Sequence, residues 1–88
     1  MLNIEKSGQF KHDYKQVLKR GLKPSLLEFV VTELAEGRKL SKKYRDHELT
    51  NNYAGHRECH IKPDWLLIYY CTEKSLVLVR TGSHSDLF

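Results

Sequence analysis

HRECHIKPDWLLIYYCTEKSLVLVR, residues 56–80, contains three strand-like segments joined by two short turns. Residues 65–71 and 75–80 are rich in the aromatic, aliphatic and β-branched side chains typical of strands, and residues 56–61 form the segment before them. Lys62-Pro63-Asp64 is a suitable hairpin connection because proline fixes φ and aspartate tolerates a turn, and Thr72-Glu73-Lys74 is a second one. This stretch predicts a meander of three antiparallel strands.

Two helices are predicted upstream of the meander. Ser7 is a suitable N-cap for the first, and Gly21 fits the C′ position that ends it. Pro24 suits the start of the second helix, which runs to about Glu36, and Gly37 terminates it. The short link between the helices predicts an antiparallel hairpin. The predicted buried stripes are Phe10, Tyr14, Val17 and Leu18 in the first helix and Leu27, Val30, Val31 and Leu34, widened by Leu26 and Phe29, in the second.

The remaining segments complete the predicted fold. Residues 2–5 can form a first strand that joins the sheet edge, and Asp13 is placed on a face of the first helix away from its apolar stripe. Residues 38–54 show no sustained period and predict a long loop, and residues 82–88 form a short tail. The prediction is an α+β fold in the order β-α-α-β-β-β, with a two-helix antiparallel hairpin packed on a small, mainly antiparallel sheet.

Length and composition narrow the class of protein. Eighty-eight residues predict a single domain over residues 1–88. A hydrophobic share of 40% argues against disorder, and the longest apolar run is far shorter than the roughly 20 residues of a membrane span. The first residues lack the apolar core of a signal peptide, so the two cysteines are expected to be reduced in a cytoplasmic protein without a membrane partner.

Positive charge is concentrated in one segment. The net charge is +4, and residues 38–45, RKLSKKYR, carry five cations and no acid. Lys42, Lys43 and Arg45 are therefore candidate phosphate contacts, with Tyr44 available to stack on a base. A solvated loop that keeps a basic protein soluble is the other interpretation of this segment.

Titratable side chains cluster unusually in the C-terminal half. Strand alternation places His56, Glu58 and His60 on one face, with Asp64 in the following turn. Arg80 ends the last predicted strand and His84 lies in the tail. Imidazoles can carry out general acid–base chemistry on an RNA phosphodiester, with a ribose 2′-hydroxyl as nucleophile and an arginine to hold the phosphorane. That reaction needs neither a metal nor another cofactor.

Three other interpretations of these side chains remain open on residues alone. His47, Cys59, His60 and His84 have the donor types of a transition-metal site, although their spacing matches no zinc motif. Cys59 or Ser83 could act as a nucleophile, although neither lies in a recognisable elbow or oxyanion loop. The histidines could also be scattered over the surface with no shared function.

The chain closely resembles the YafQ branch of the RelE/ParE superfamily of bacterial toxins. Three stretches in order carry the resemblance, YRDHEL at 44–49, GHRECHIKPDWLLIY at 55–69 and RTGSHSDLF at 80–88. The resemblance implies a RelE-like fold and a toxin of a type II toxin–antitoxin module that cleaves mRNA on the ribosome and so inhibits translation. It also implies a neutralising antitoxin protein, and operator DNA bound only through that antitoxin.

The resemblance also implies roles for individual residues. Its implied catalytic positions are His47, His60, Asp64, His84 and Phe88, and its implied phosphate contact is Arg80. Glu58 stands where some relatives have aspartate, and a carboxylate there can orient a histidine. Phe88 suits a stacking platform for a nucleobase. The alternative function is a ParE-like toxin that acts on DNA gyrase without cleaving RNA; such a toxin would not need the histidine set.

Overall fold

A computed structural model describes residues 1–88, and its secondary structure follows the predicted order with four additions, which are a short strand, a C-terminal helical turn and two 3₁₀ turns. The strands are β1 (Asn3–Lys6), β2 (His47–Glu48), β3 (Arg57–Lys62), β4 (Trp65–Cys71) and β5 (Ser75–Gly82), and the helices are α1 (Gly8–Lys19), α2 (Pro24–Ala35) and α3 (His84–Leu87). Two 3₁₀ turns, Lys42–Tyr44 and Asn51–Tyr53, flank β2. No helix is both long and apolar enough to cross a membrane.

The five strands form one sheet in the order β1-β5-β4-β3-β2. Strands β3, β4 and β5 are the predicted antiparallel meander, and β4 has the predicted bounds. β1 joins the edge as predicted and runs parallel to β5, with Asn3 opposite Ser75. The predicted α+β class, with two helices on a mainly antiparallel sheet, is confirmed.

The two long helices begin and end at the predicted residues. The Ser7 hydroxyl accepts a hydrogen bond from the backbone N–H of Phe10 at 2.9 Å, and Pro24 starts α2. Gly21 follows α1 with φ of +81°, the left-handed conformation that favours glycine at C′. The helices cover one face of the sheet, and their contact forms the main core. Its largest fully buried members include Trp65, Phe10, Leu67, Leu76 and Leu78.

The opposite face of the sheet carries a second, smaller apolar cluster. Leu66 and Ile68 of β4 are fully buried there, and Leu87 of α3 packs on them. Burial of Leu87 therefore fastens α3 to this face of the sheet.

Three predictions about side-chain burial were wrong. Leu18 is 41% exposed and Phe29 is 53% exposed, because both lie beside the core-facing stripe rather than on it. Leu26 is half-buried and packs against the core, so it widens the stripe as predicted. Phe29 instead stacks on Tyr44, with ring centroids 6.4 Å apart. Asp13 was assigned to another face, yet it is 7% exposed, because it follows Phe10 by three positions and precedes Val17 by four.

Three predictions about secondary structure also need correction. The segment predicted as a loop, 38–54, contains β2, whose two residues pair with β3 and are too few to create a periodic signal. The predicted tail contains α3, a single helical turn that begins with a capping box made by Ser83 and Asp86. The first meander strand is shifted by one residue, and β5 continues to Gly82.

Candidate active site

Three histidines from separate segments meet on the face of the sheet that α3 covers. His60 of β3 is central, with its ring centroid 6.3 Å from that of His47 on β2 and 5.6 Å from that of His84 on α3. The side chain of His60 is only 8% exposed, whereas those of His47 and His84 are half exposed. The predicted catalytic histidines therefore lie together, with two of their rings open to solvent.

Glu58 lies beneath two of these rings. The pairing of β2 with β3 places His47 directly opposite Glu58, and alternation places His60 on the same face. The Glu58 Oε1 atom is 3.4 Å from Nε2 of His47 and 3.4 Å from Nε2 of His60. The buried Glu58 side chain therefore faces two of the three histidines from below.

Asp64 connects the β3–β4 turn to the start of α3. Its Oδ1 atom accepts a hydrogen bond from the backbone N–H of His84 at 2.9 Å and lies 2.8 Å from Nδ1 of the same residue. The backbone and ring contacts of His84 hold the pKa of the Asp64 carboxyl below its usual value of 3.8. Asp64 is therefore an ionised acceptor that fixes the His84 ring and leaves Nε2 facing away from the contact.

Phe88 follows α3 and is 64% exposed. Its ring meets that of Tyr53 edge to face, with centroids 5.9 Å apart.

The helical turn α3 is held at its start by a capping box. The Ser83 hydroxyl accepts from the Asp86 N–H, and an Asp86 oxygen accepts from the Ser83 N–H. Asp86 also forms a bidentate ion pair with Arg20 of α1, which fastens the helical turn from its other side.

Arg80 is engaged by a side chain of α1 rather than by the histidines. Its Nε donates to Asp13 Oδ2 at 2.7 Å, and its Nη2 donates to Asp13 Oδ1 at 3.1 Å. The Thr81 N–H donates to the same carboxylate at 3.2 Å. Burial alone would raise the pKa of Asp13, but its bonds from Arg80, Gln9 and Thr81 lower that pKa below 3.8.

The cationic segment at residues 38–45, which we call the basic loop, borders the histidine cluster. A cleft of about 460 Å³ is lined by Lys43, Tyr44, Arg45 and His60, together with the residues of the β3–β4 turn. Arg45 also contacts His47, whose Nδ1 lies 2.7 Å from the Arg45 carbonyl oxygen. Lys42 is exposed and does not line this cleft.

Several supporting residues were not predicted as part of the site. Asp46 accepts from Arg57 Nε at 3.0 Å and from the Tyr69 hydroxyl at 2.7 Å, so it anchors the chain immediately before His47. The spacing of Asp13 from Phe10 and Val17 could have indicated its burial, because it places Asp13 on the apolar stripe of α1. The pair of Arg20 and Asp86 is separated by 66 positions, and no local pattern in the sequence indicates it.

The two candidate nucleophiles, Cys59 and Ser83, and the candidate metal ligands have other places in the structure. Cys59 is fully buried on the helix-facing side, and this burial strongly raises the pKa of its thiol. The Ser83 hydroxyl is the cap of α3. No group of three or more histidine, cysteine, aspartate or glutamate side chains in residues 1–88 is arranged to hold a metal ion.

Comparison with known proteins identifies the family to which this chain belongs. A family model described as "Bacterial toxin of type II toxin-antitoxin system, YafQ" matches residues 2–88. The chain therefore belongs to the YafQ family of type II toxins, as its sequence predicts.

Individual members of the family are similar over their whole length. The mRNA interferase toxin YafQ of Escherichia coli (strain B / BL21-DE3) is 41% identical over 87 residues, which is 98% of this chain and 95% of the relative. A metal-bound toxin from Helicobacter pylori is 48% identical, with full coverage of both chains and a TM-score of 0.94. YafQ in the E. coli DinJ–YafQ complex is 40% identical, with 100% of this chain and 99% of that chain covered and a TM-score of 0.91.

Proposed function

We propose that this toxin is an endoribonuclease that cuts mRNA in the ribosomal decoding site and so stops translation. The observation that carries the proposal is the cluster of His47, His60 and His84 beside a cationic cleft. The E. coli relatives are named mRNA interferase toxins, which agrees with that chemistry. The ribosome would align the 2′-oxygen, the phosphorus and the leaving oxygen, which this small open site does not do alone.

The proposed reaction is a transesterification that uses the substrate's own nucleophile. One imidazole removes the proton of a ribose 2′-hydroxyl, and the oxygen attacks the adjacent phosphorus. A second, protonated imidazole gives its proton to the 5′-oxygen as the P–O5′ bond breaks. The products are a 2′,3′-cyclic phosphate and a free 5′-hydroxyl. The half-exposed rings of His47 and His84 are the proposed proton carriers, and His60 between them faces the phosphate.

The remaining predicted residues take supporting roles in this proposal. Asp64 fixes the ring of His84, and Glu58 orients the rings of His47 and His60. Phe88 stacks on a nucleobase next to the scissile phosphate. Cations that contact RNA phosphates are Lys42, Lys43, Arg45 and Arg80.

An acidic antitoxin is the proposed protein partner. In the E. coli DinJ–YafQ complex, a relative of this chain is bound to DinJ. A net charge of +4 favours an acidic, partly disordered segment that folds on the toxin and covers the histidine cluster. Operator DNA would be bound through the antitoxin. The proposed location of both partners is the cytoplasm, where ribosomes and mRNA are found.

Primer extension on one message in translated and untranslated form tests the proposal. We expect breaks in register with codons in the translated message, and a loss of about 10²–10⁴ in rate for His84→Ala. A 2′-deoxy nucleotide at the cleavage position should block the reaction. Cleavage that survives this replacement would refute attack by the 2′-hydroxyl. DNA damage without RNA breaks would refute the nuclease and favour the gyrase-directed alternative.

Metal independence is tested separately. Because the Helicobacter pylori relative is a metal-bound toxin, the enzyme should be assayed before and after dialysis against EDTA, with Mg²⁺ restored for the ribosomes. We expect the same rate in both preparations. A loss that Zn²⁺ or Cu²⁺ restores would show that a metal takes part.

A further inference from the structure

A row of aromatic rings leads away from Phe88 across the surface. Tyr53 meets Phe88 at 5.9 Å, His56 meets Tyr53 at 5.9 Å and Tyr70 meets His56 at 5.1 Å, each at an interplanar angle of 75° or more. Phe88 is largely exposed, and the other three side chains are half-buried. We call these four residues the aromatic row.

The backbone and the smaller apolar cluster hold the row in place. Tyr53 packs against the cluster that contains Leu66 and Leu87. The His56 N–H donates to the Tyr53 carbonyl at 3.0 Å, and the His56 carbonyl accepts from the Leu49 N–H at 2.9 Å. The rings are therefore preorganised, which lowers the entropy cost of binding a ligand on them.

A concavity lies at the end of the row farthest from Phe88. It has a volume of about 350 Å³, and its lining includes His56, Tyr70, Arg57 and Glu48. This size falls within the roughly 300–1,000 Å³ range of small-molecule sites. Two rings nearly perpendicular to each other supply a flat wall and an edge. Arg57, held by Asp46 and 3.6 Å from Glu48, supplies polar groups at the rim. Flat, polar-edged molecules such as nucleobases fit this chemistry.

We propose that the aromatic row binds unpaired bases of the message beyond the scissile phosphate, with one base seated in the concavity beside His56 and Tyr70. The inference rests on the proposed function, because the row is continuous with Phe88. Neighbouring ring centroids in the row lie 5.1–5.9 Å apart, which is more than the roughly 3.4 Å between bases in a stacked strand. The row therefore fits an extended single strand. Stacking on aromatic rings tolerates any base, so the row would hold the message without adding strict sequence preference.

Substitutions of Tyr70 test the requirement for a ring. Tyr70→Leu keeps an apolar side chain and removes the ring, whereas Tyr70→Phe keeps the ring. For cleavage of a translated message we expect Tyr70→Leu to raise KM about tenfold with kcat within twofold, and Tyr70→Phe to match the wild type within twofold. The matched control is Tyr14→Leu, which removes a half-buried tyrosine ring from α1, where it stacks on Phe10, and should leave KM unchanged. An unchanged KM for Tyr70→Leu, or an equal rise for Tyr14→Leu, would overturn the proposal.

Photo-crosslinking of the unaltered toxin gives a second measurement that does not depend on folding of a variant. The probe is a ribosome-bound message with a 2′-deoxy nucleotide at the cleavage position and 4-thiouridine at each neighbouring position in turn. Crosslinks from the message to His56 or Tyr70 support the proposal. Crosslinks from the message only to other residues of the toxin, or only to the ribosome, overturn it. If the toxin cuts no message but these crosslinks form, the proposed function fails and the binding row stands.

Discussion

A single oxygen of Asp64 accepts from the backbone and contacts the imidazole of His84, at 2.9 and 2.8 Å. The turn between β3 and β4 therefore sets both the start of α3 and the direction of its first side chain. Neither contact is buried, since the side chains of both residues are more than half exposed. Asp64 contributes orientation of the imidazole to the site rather than stability to the fold.

Asp64→Asn is expected to impair turnover without unfolding the toxin. The amide oxygen can still accept from the His84 backbone, but the negative charge that favours a fixed ring is lost. Because the pKa of Asp64 lies below 3.8, the wild-type carboxylate stays ionised above that pH, so the loss should be similar across neutral pH. We expect kcat to fall about 10- to 100-fold with little change in KM. A wild-type kcat for Asp64→Asn would contradict the orienting role.

Glu58→Gln should change the site more than the fold. The side chain remains polar and of the same size, but the carboxylate no longer faces Nε2 of His47 and of His60 at 3.4 Å. We expect kcat to fall about 10- to 100-fold, because both imidazoles lose the carboxylate that faces them. Circular dichroism should match the wild type. Glu73→Gln, at an exposed residue of the turn between β4 and β5, is the control for loss of a carboxylate, and its kcat should match the wild type.

The ion pair between Arg20 and Asp86 is expected to position the tail. Arg20→Ala leaves the capping box of Ser83 and Asp86 intact but frees α3 on the side facing α1. The exposed pair contributes little stability, so the melting temperature should change by less than about 2 °C. Turnover should nevertheless fall about tenfold, because His84 and Phe88 are carried by this turn.

Arg20→Lys is the matched variant for that measurement. Lysine keeps the positive charge but not the bidentate contact, so intermediate turnover is expected. If Arg20→Lys and Arg20→Ala raise KM equally and leave kcat unchanged, Arg20 contacts RNA directly and does not position the tail. A double-mutant cycle with Asp86→Asn separates the two roles, since only positioning makes the effects of the two substitutions non-additive.

Asp13→Asn is expected to lower stability in a pH-dependent way. The substitution removes the charge that binds Arg80, which costs about 2 kcal/mol at pH 7. The pKa of Asp13 is lowered in the folded state, so its contribution is complete above the usual value of 3.8 and is lost as the pH falls through the folded value. The difference in free energy of unfolding between wild type and Asp13→Asn should therefore shrink toward pH 2. Urea titrations at pH 7 and pH 3 measure it, and an equal difference at both would contradict this origin.

Features set by neighbouring residues could be predicted from the sequence, whereas features set by contacts between distant segments could not. Residues 65–71 form a continuous apolar run between turn residues, and β4 has those bounds. Alternation also placed Glu58 and His60 on one face correctly, because it depends only on the geometry of one strand. β2 and α3 are too short to produce a period. The pairs that link Arg80 to Asp13 and Arg20 to Asp86 join segments far apart in the chain, so only the folded structure shows them.

The pairing of β1 with β5 has a consequence for how this toxin becomes active. The Ser7 hydroxyl, just after β1, donates to the Val79 carbonyl, a partner 72 positions away. Contacts between residues so far apart in the chain form late in folding, because closing the long loop between them costs entropy before the contact stabilises the fold. Strand β5 leads directly into α3, so we expect the histidine cluster to be completed in the final step of folding. Incomplete chains would then be harmless to the cell that makes them.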